Sequence, residues 1–133
     1  MRLTTHQGTA FPAPQGDDRR LIEAAIEDDA KTLQALLAGP ADINARDEYG
    51  MTPLHHAAAT GARACLRLLI AAGRCDFLLQ DGLGRYASDL AIEWARDYAV
   101  ARLLTRKQIQ QARREGRPAW LPPGTGRGGS TAS

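Results

Sequence analysis

An internal repeat constrains this chain more than any other feature. Residues 21–38, "LIEAAIEDDAKTLQALLA", superimpose on residues 54–71, "LHHAAATGARACLRLLIA", at an offset of 33. Leu21 falls on Leu54, Ala24 and Ala25 on Ala57 and Ala58, Leu33 on Leu66, and Leu36 on Leu69. Between the helical stretches, "DINARDEYG" at 42–50 repeats as "DFLLQDGLG" at 76–84, offset by 34, so Asp42, Asp47 and Gly50 return as Asp76, Asp81 and Gly84. Residues 89–104 continue at the same offset, which places Ala91 on Ala57 and Leu103 on Leu69. A unit of this length cannot bury its own apolar face, so the units must stack on one another. The composition agrees: 44% apolar but only 5% aromatic residues suits helices packed through small side chains, not a β-sandwich.

Each unit reads as a short helix, a tight turn, a second helix and a loop. In the middle unit Thr52 is a good N-cap, and Pro53 follows at the first helical position, where its missing N–H costs nothing. His55 sits three residues after Thr52, placed for a variant of the capping box. Gly61 ends this helix, and Cys65, Leu66, Leu69 and Ile70 form one stripe of the next. Gly73 then supplies a left-handed cap. In the first unit Gly39-Pro40 stands at the corresponding place, and Gly39 is expected to make that cap one residue early, because proline cannot adopt positive φ.

The period and the stretch "DEYGMTPLHHAAATGARACLRLLIAAG" resemble the ankyrin-repeat family over about residues 18–105. The resemblance implies an all-α solenoid of about three helix-turn-helix repeats with short hairpin-like loops, at about 17–46, 47–80 and 81–115. The flanking units depart from the pattern. The first has "RRLI" for Thr-Pro-Leu-His, and its Asp17, Asp18, Arg19 and Arg20 suit the polar outer face of a capping repeat. The third has "YASD" there, with polar Ser88 for Leu54, which predicts an irregular or partly exposed helix start. The last helix is expected to extend to about Glu115, with Val100, Leu103, Leu104 and Ile109 covering the open end of the stack. Residues 1–16 read as a flexible leader, and 116–133, rich in Gly, Pro and Ser, as a disordered tail.

Catalytic and metal readings find little support. His55 and His56 are adjacent on a helix, so their side chains point about 100° apart and cannot easily share an ion. A helical zinc pair needs the i, i+4 spacing. Cys65 lies on an apolar stripe, and a site from Cys75 and His56 would lack two ligands. The chain has no G-x-S-x-G, no P-loop and no G-x-G-x-x-G; "GTGRGG" lies in the tail, with no strand before it or helix after it. No stretch approaches the ~18 apolar residues of a membrane span, and two cysteines make no disulfide framework. A monomeric, cytoplasmic protein is expected, with no enzymatic activity, cofactor, metal or membrane attachment. Arginine outnumbers lysine 15 to 2, a bias associated with GC-rich bacterial genomes.

Similar ankyrin domains bind protein partners through the non-consensus positions of their loops and first helices. Carried onto this sequence, the expected partner-binding residues are Arg46, Glu48, Tyr49, Met51, His56, Thr60, Leu83, Arg85, Glu93 and Trp94. Tyr49, Met51, Leu83, Arg85 and Trp94 stand out by type, since aromatic residues, Met and Arg are enriched at interfaces. A narrower alternative is an inhibitor or immunity-type protein that occludes a toxin or enzyme. Residues 1–99 carry 10 basic and 14 acidic side chains, net −4, which would favour a basic partner. Residues 100–133 carry 7 and 1, net +6, which leaves weak nucleic-acid contact as a second alternative. Its residues would be Arg102, Arg106, Lys107, Arg113, Arg114 and Arg117. They have little aromatic interleaving, so nucleic acid is not the partner expected first.

Overall fold

The computed structural model describes residues 11–121. Residues 1–10 and 122–133, most of the expected leader and tail, lie outside the described residues. The described residues form six helices: α1 (Gly16–Ile26), α2 (Ala30–Leu37), α3 (Pro53–Thr60), α4 (Arg63–Ala71), α5 (Ala87–Glu93) and α6 (Tyr98–Glu115). No strand occurs among the described residues. They form three helix pairs in one stack: α3 packs between α1 and α5, α2 lies against α1 and α4, and α6 lies against α5. The all-α repeat architecture expected from the sequence is the one observed.

Alanine sets the spacing of the first helices. Ala24, Ala25, Ala57, Ala58 and Ala91 are all buried where α1, α3 and α5 meet. Leucine fills the volume between each first helix and its second, with Leu21, Leu33, Leu69, Leu90 and Leu104 almost fully enclosed. Each such leucine stabilises the fold by about 1.5–3 kcal/mol through apolar burial.

Local caps set the helix ends. The Thr52 hydroxyl accepts the His55 N–H at 3.2 Å, and His55 Nδ1 accepts the Thr52 N–H in return. Asp29 caps α2 through Thr32 N–H, and Asp97 caps α6 through Val100 N–H. α4 has no cap of its own, since Ala62 stands at that position. The carboxylate of Asp28, in the turn of the preceding repeat, accepts the Cys65 N–H instead. Asp28 holds a left-handed φ of 53° at the place that Gly61 occupies in the next unit, a conformation Asp tolerates better than most residues.

The third unit corrects two expectations. Its turn holds one extra residue. The N–H after the turn bonds five residues back in the first two units (Asp29 to Ala24, Ala62 to Ala57) but six back in the third (Asp97 to Ala91). Arg96, at φ 54°, therefore plays the part of Gly61, and the true offset in α6 is 35. Leu104, 1% exposed, is the partner of Leu69, and Ala101 that of Leu66. Leu103, expected in that place, is rotated away into a groove of about 240 Å³ between α4 and α6, which Val100 also lines while packing against the core. Ser88 is also not exposed: it is 2% accessible, and its hydroxyl donates to Gln108 Oε1 at 2.8 Å. The α5 start is regular because the Asp89 carboxylate accepts the Tyr86 N–H.

Polar side chains seal the end of the stack. Gln111 Oε1 accepts the Phe77 N–H at 2.8 Å, and its Nε2 donates to Asp76. This satisfies the loop groups that a fourth repeat would otherwise meet. Beyond α6 the chain folds back: Gln108 Nε2 donates to the Ala119 carbonyl, Leu121 N–H donates to the Tyr86 hydroxyl, and Trp120 stacks edge-on against Tyr86. Residues 119–121, expected in the disordered tail, are thus tied to the third repeat. Gly39 corrects a further expectation, for it is absent from the positive-φ glycines while Gly73 has φ 73°. The Gly39 N–H bonds the Leu36 carbonyl at 3.1 Å in an ordinary turn, so the first unit ends α2 without a left-handed cap.

Candidate partner-binding surface

The two inter-repeat loops are built to one plan, and its first element is a buried aspartate. Asp47 Oδ1 accepts the N–H groups of Tyr49 and Met51, both at 3.0 Å. Asp81 Oδ1 accepts those of Leu83 and Arg85 at 2.9 and 2.8 Å. Each loop closes with a glycine in left-handed backbone, Gly50 at φ 76° and Gly84 at φ 80°. The Asp-x-x-Gly spacing therefore codes for a braced tight turn. The second carboxylate oxygen is held too, by His56 Nε2 at 2.7 Å in the first loop and by Arg85 Nε at 2.8 Å in the second.

This bracing forces one side chain per loop outward. Tyr49 and Leu83 each stand at the tip, and both are 68% exposed. The loops are also joined: the Gly82 N–H donates to the Tyr49 carbonyl at 2.8 Å, and the Arg46 guanidinium bridges the carbonyls of Gly50 and Gln80. His55 anchors the pair from beneath. Its Nδ1 accepts from Thr52, which makes Nε2 the donor to the Arg85 carbonyl at 3.0 Å. Burial lowers the His55 pKa to about 4, so the ring is neutral at physiological pH.

The ten expected contact residues separate into two groups. Arg46, Glu48, Tyr49, Met51, Leu83 and Arg85 gather at the joined loops, with His56 on the first turn of α3. Thr60, Glu93 and Trp94 lie at the opposite ends of α3 and α5, roughly 10–12 Å of helix away. Trp94 is 65% exposed at the end of α5, in the turn that carries the extra residue. Arg46, His56 and Arg85 are committed to internal partners, whereas Tyr49, Leu83 and Trp94 are displayed. One residue of this surface escaped the sequence reading altogether. Phe11 lies against the joined loops, with its ring 4.3 Å from the Arg46 guanidinium carbon. An aromatic residue beside Pro12 and Pro14 is the only hint the sequence offers.

Among the described residues no group of three or more His, Cys, Asp or Glu is arranged to hold a metal ion. Burial pushes both thiols, Cys65 and Cys75, up to about 12. A thiol must ionise to react. Folded protein at pH 8 should therefore react with a disulfide reagent at least about a hundredfold more slowly than denatured protein at both positions. Rapid labelling of either cysteine in the folded state would contradict the buried geometry.

The sequence pattern of a family described as ankyrin repeats, in three copies, matches residues 21–114. The chain belongs to the ankyrin-repeat family. Among curated proteins, its repeats are 45% identical over 64 residues to human diacylglycerol kinase zeta and 42% identical over 57 residues to the rat form. They are 41% identical over 61 residues to the ADP-ribosylation factor GTPase-activating protein AGD2 of Arabidopsis thaliana. These matches cover 43–48% of this chain but only 6–8% of those much larger proteins. What the chain shares with them is the ankyrin repeat, and ankyrin repeats indicate a protein-interaction module. No helix of the described residues is long and apolar enough to cross a membrane.

Proposed function

We propose that this ankyrin-repeat chain is a non-catalytic module that binds a protein partner through its joined loop tips. One observation carries the reading: the same Asp-braced loop is built twice, and each copy spends its hydrogen bonds on holding a large apolar side chain out in solvent. A rigid aromatic or aliphatic anchor loses little entropy on binding, which is how a small interface gains affinity. The finer reading, an inhibitor that occludes a basic enzyme partner, draws support from the net −4 of residues 1–99. The unpaired cysteines suit a reducing compartment such as the cytoplasm. The basic residues of α6 have only Tyr98 and, beyond the helix, Trp120 as exposed aromatic neighbours in sequence, so phosphate contact is the secondary reading.

A photoreactive phenylalanine at position 49, placed in the full chain in its native cell, tests the location of the interface. It should crosslink the partner, while the same group at exposed Gln34 on α2 should not. Equal yields from the two positions would contradict the loop-tip interface.

A further inference from the structure

Phe11 occupies a site with a defined chemistry. Above its ring lies the Arg46 guanidinium, locked by the carbonyls of Gly50 and Gln80. Two glycines, one from each loop, also approach the ring. A Cβ on Gly50 would stand 2.7 Å from the ring's Cε2, too close to keep, whereas one on Gly82 would stand 3.9 Å from the same atom, in ordinary contact, and would meet the Tyr49 carbonyl at 2.9 Å instead. The missing side chain of Gly50 thus makes room for the ring, and a guanidinium held over an aromatic face gives it a favourable cation–π contact. The hydrophobic core is assembled from the helix pairs and loop residues and does not include Phe11. Pro12 and Pro14 keep the segment extended until α1 begins at Gly16.

We infer that Arg46, Gly50 and Gly82 form a seat for an aromatic side chain, which Phe11 fills in cis. The partner enters by displacing Phe11 with an aromatic residue of its own, carried on an extended, proline-bearing segment. This rests on the protein-binding reading above and names the chemistry of the partner. The flanking tips Tyr49 and Leu83 supply the extra contact area with which a partner outcompetes Phe11. The cis segment acts as a threshold: on a short tether its effective concentration is in the millimolar range, so weak aromatic ligands are excluded.

The test uses the full chain with Phe11→Ala, labelled with 15N, and a peptide of residues 9–15, Thr-Ala-Phe-Pro-Ala-Pro-Gln, added in trans. The amides of Arg46, Gly50 and Gly82 should shift with a Kd below about 1 mM, and the wild-type chain should bind the peptide at least roughly tenfold more weakly. The same peptide with alanine for phenylalanine should shift nothing. Equal binding by both chains, or no shifts at several millimolar peptide, would overturn the seat. Unfolding of the Phe11→Ala chain would overturn it as well, because Phe11 would then be a structural plug and not a displaceable ligand. The crosslink at position 49 keeps the two readings apart. A failed peptide with a successful crosslink removes the seat alone, while a bound peptide with no crosslink removes the partner interface.

Discussion

Replacing His55 by alanine should remove about 4 kcal/mol of stability, a large share of the 5–15 kcal/mol typical of a single domain. The figure has three parts, the first two of them hydrogen bonds, one of which is the His55 half of the capping box. The buried Thr52 N–H and Arg85 carbonyl each lose a partner, at about 1–3 kcal/mol apiece. A void at a 1% exposed site adds to both. Urea denaturation measures this as a lower midpoint at constant slope. The same residue predicts a pH dependence. Its folded pKa of about 4 lies below the ordinary 6.5, so the unfolded chain binds the proton first as pH falls. The contribution is fully present above about pH 6.5, declines through the window and is gone by about pH 4, a loss of about 3 kcal/mol. His55→Gln keeps an acceptor and removes the titration, so its stability should fall less than that of the wild type between pH 7 and pH 4. Parallel curves for the two proteins would rule out a buried neutral His55.

Ending the chain after Leu104 should lower Tm by more than about 10 °C relative to a chain ended at Leu121. The cut removes Gln108, Gln111 and Ala112, all buried, together with the segment that covers Tyr86. Ser88 Oγ and the Phe77 N–H then lose their partners, and the Asp76 carboxylate keeps only the Leu78 N–H. The double substitution Gln108→Ala/Gln111→Ala in the full chain isolates the polar part of the effect. It should cost about 2–4 kcal/mol, from two buried hydrogen-bonding side chains. Equal melting temperatures for the two truncated chains would remove the capping role of α6.

The sequence states the middle repeat almost completely, because each of its signals is local. Thr52, Pro53 and His55 start α3, Gly61 and Gly73 end helices in left-handed backbone, and the Asp-x-x-Gly spacing makes the loops. Where a structural choice depends on residues far away, the sequence misleads. In α6, the run Val100, Ala101, Leu103, Leu104 offers two overlapping apolar stripes. The extra turn residue selects between them, and Arg96 in place of glycine leaves no mark of the turn's position. Ser88 looked misplaced only because its acceptor, Gln108, lies twenty residues along the chain. The geometry of the candidate surface was legible in part. Tyr49, Leu83 and Trp94 are displayed as the repeat implies, while Arg46, His56 and Arg85 turn inward to brace the loops. Phe11 belongs to no repeat, so no periodicity could place it.

In the proposed function the joined loop tips hold the partner. The most direct measurement is the Kd of the partner crosslinked at position 49 for the wild-type chain and for Tyr49→Ala/Leu83→Ala. Both side chains are 68% exposed, so the double variant should melt within about 2–4 °C of the wild type. Its affinity should fall by at least about thirtyfold, as expected for the loss of one interfacial hot spot. An unchanged Kd with an unchanged Tm would contradict the account.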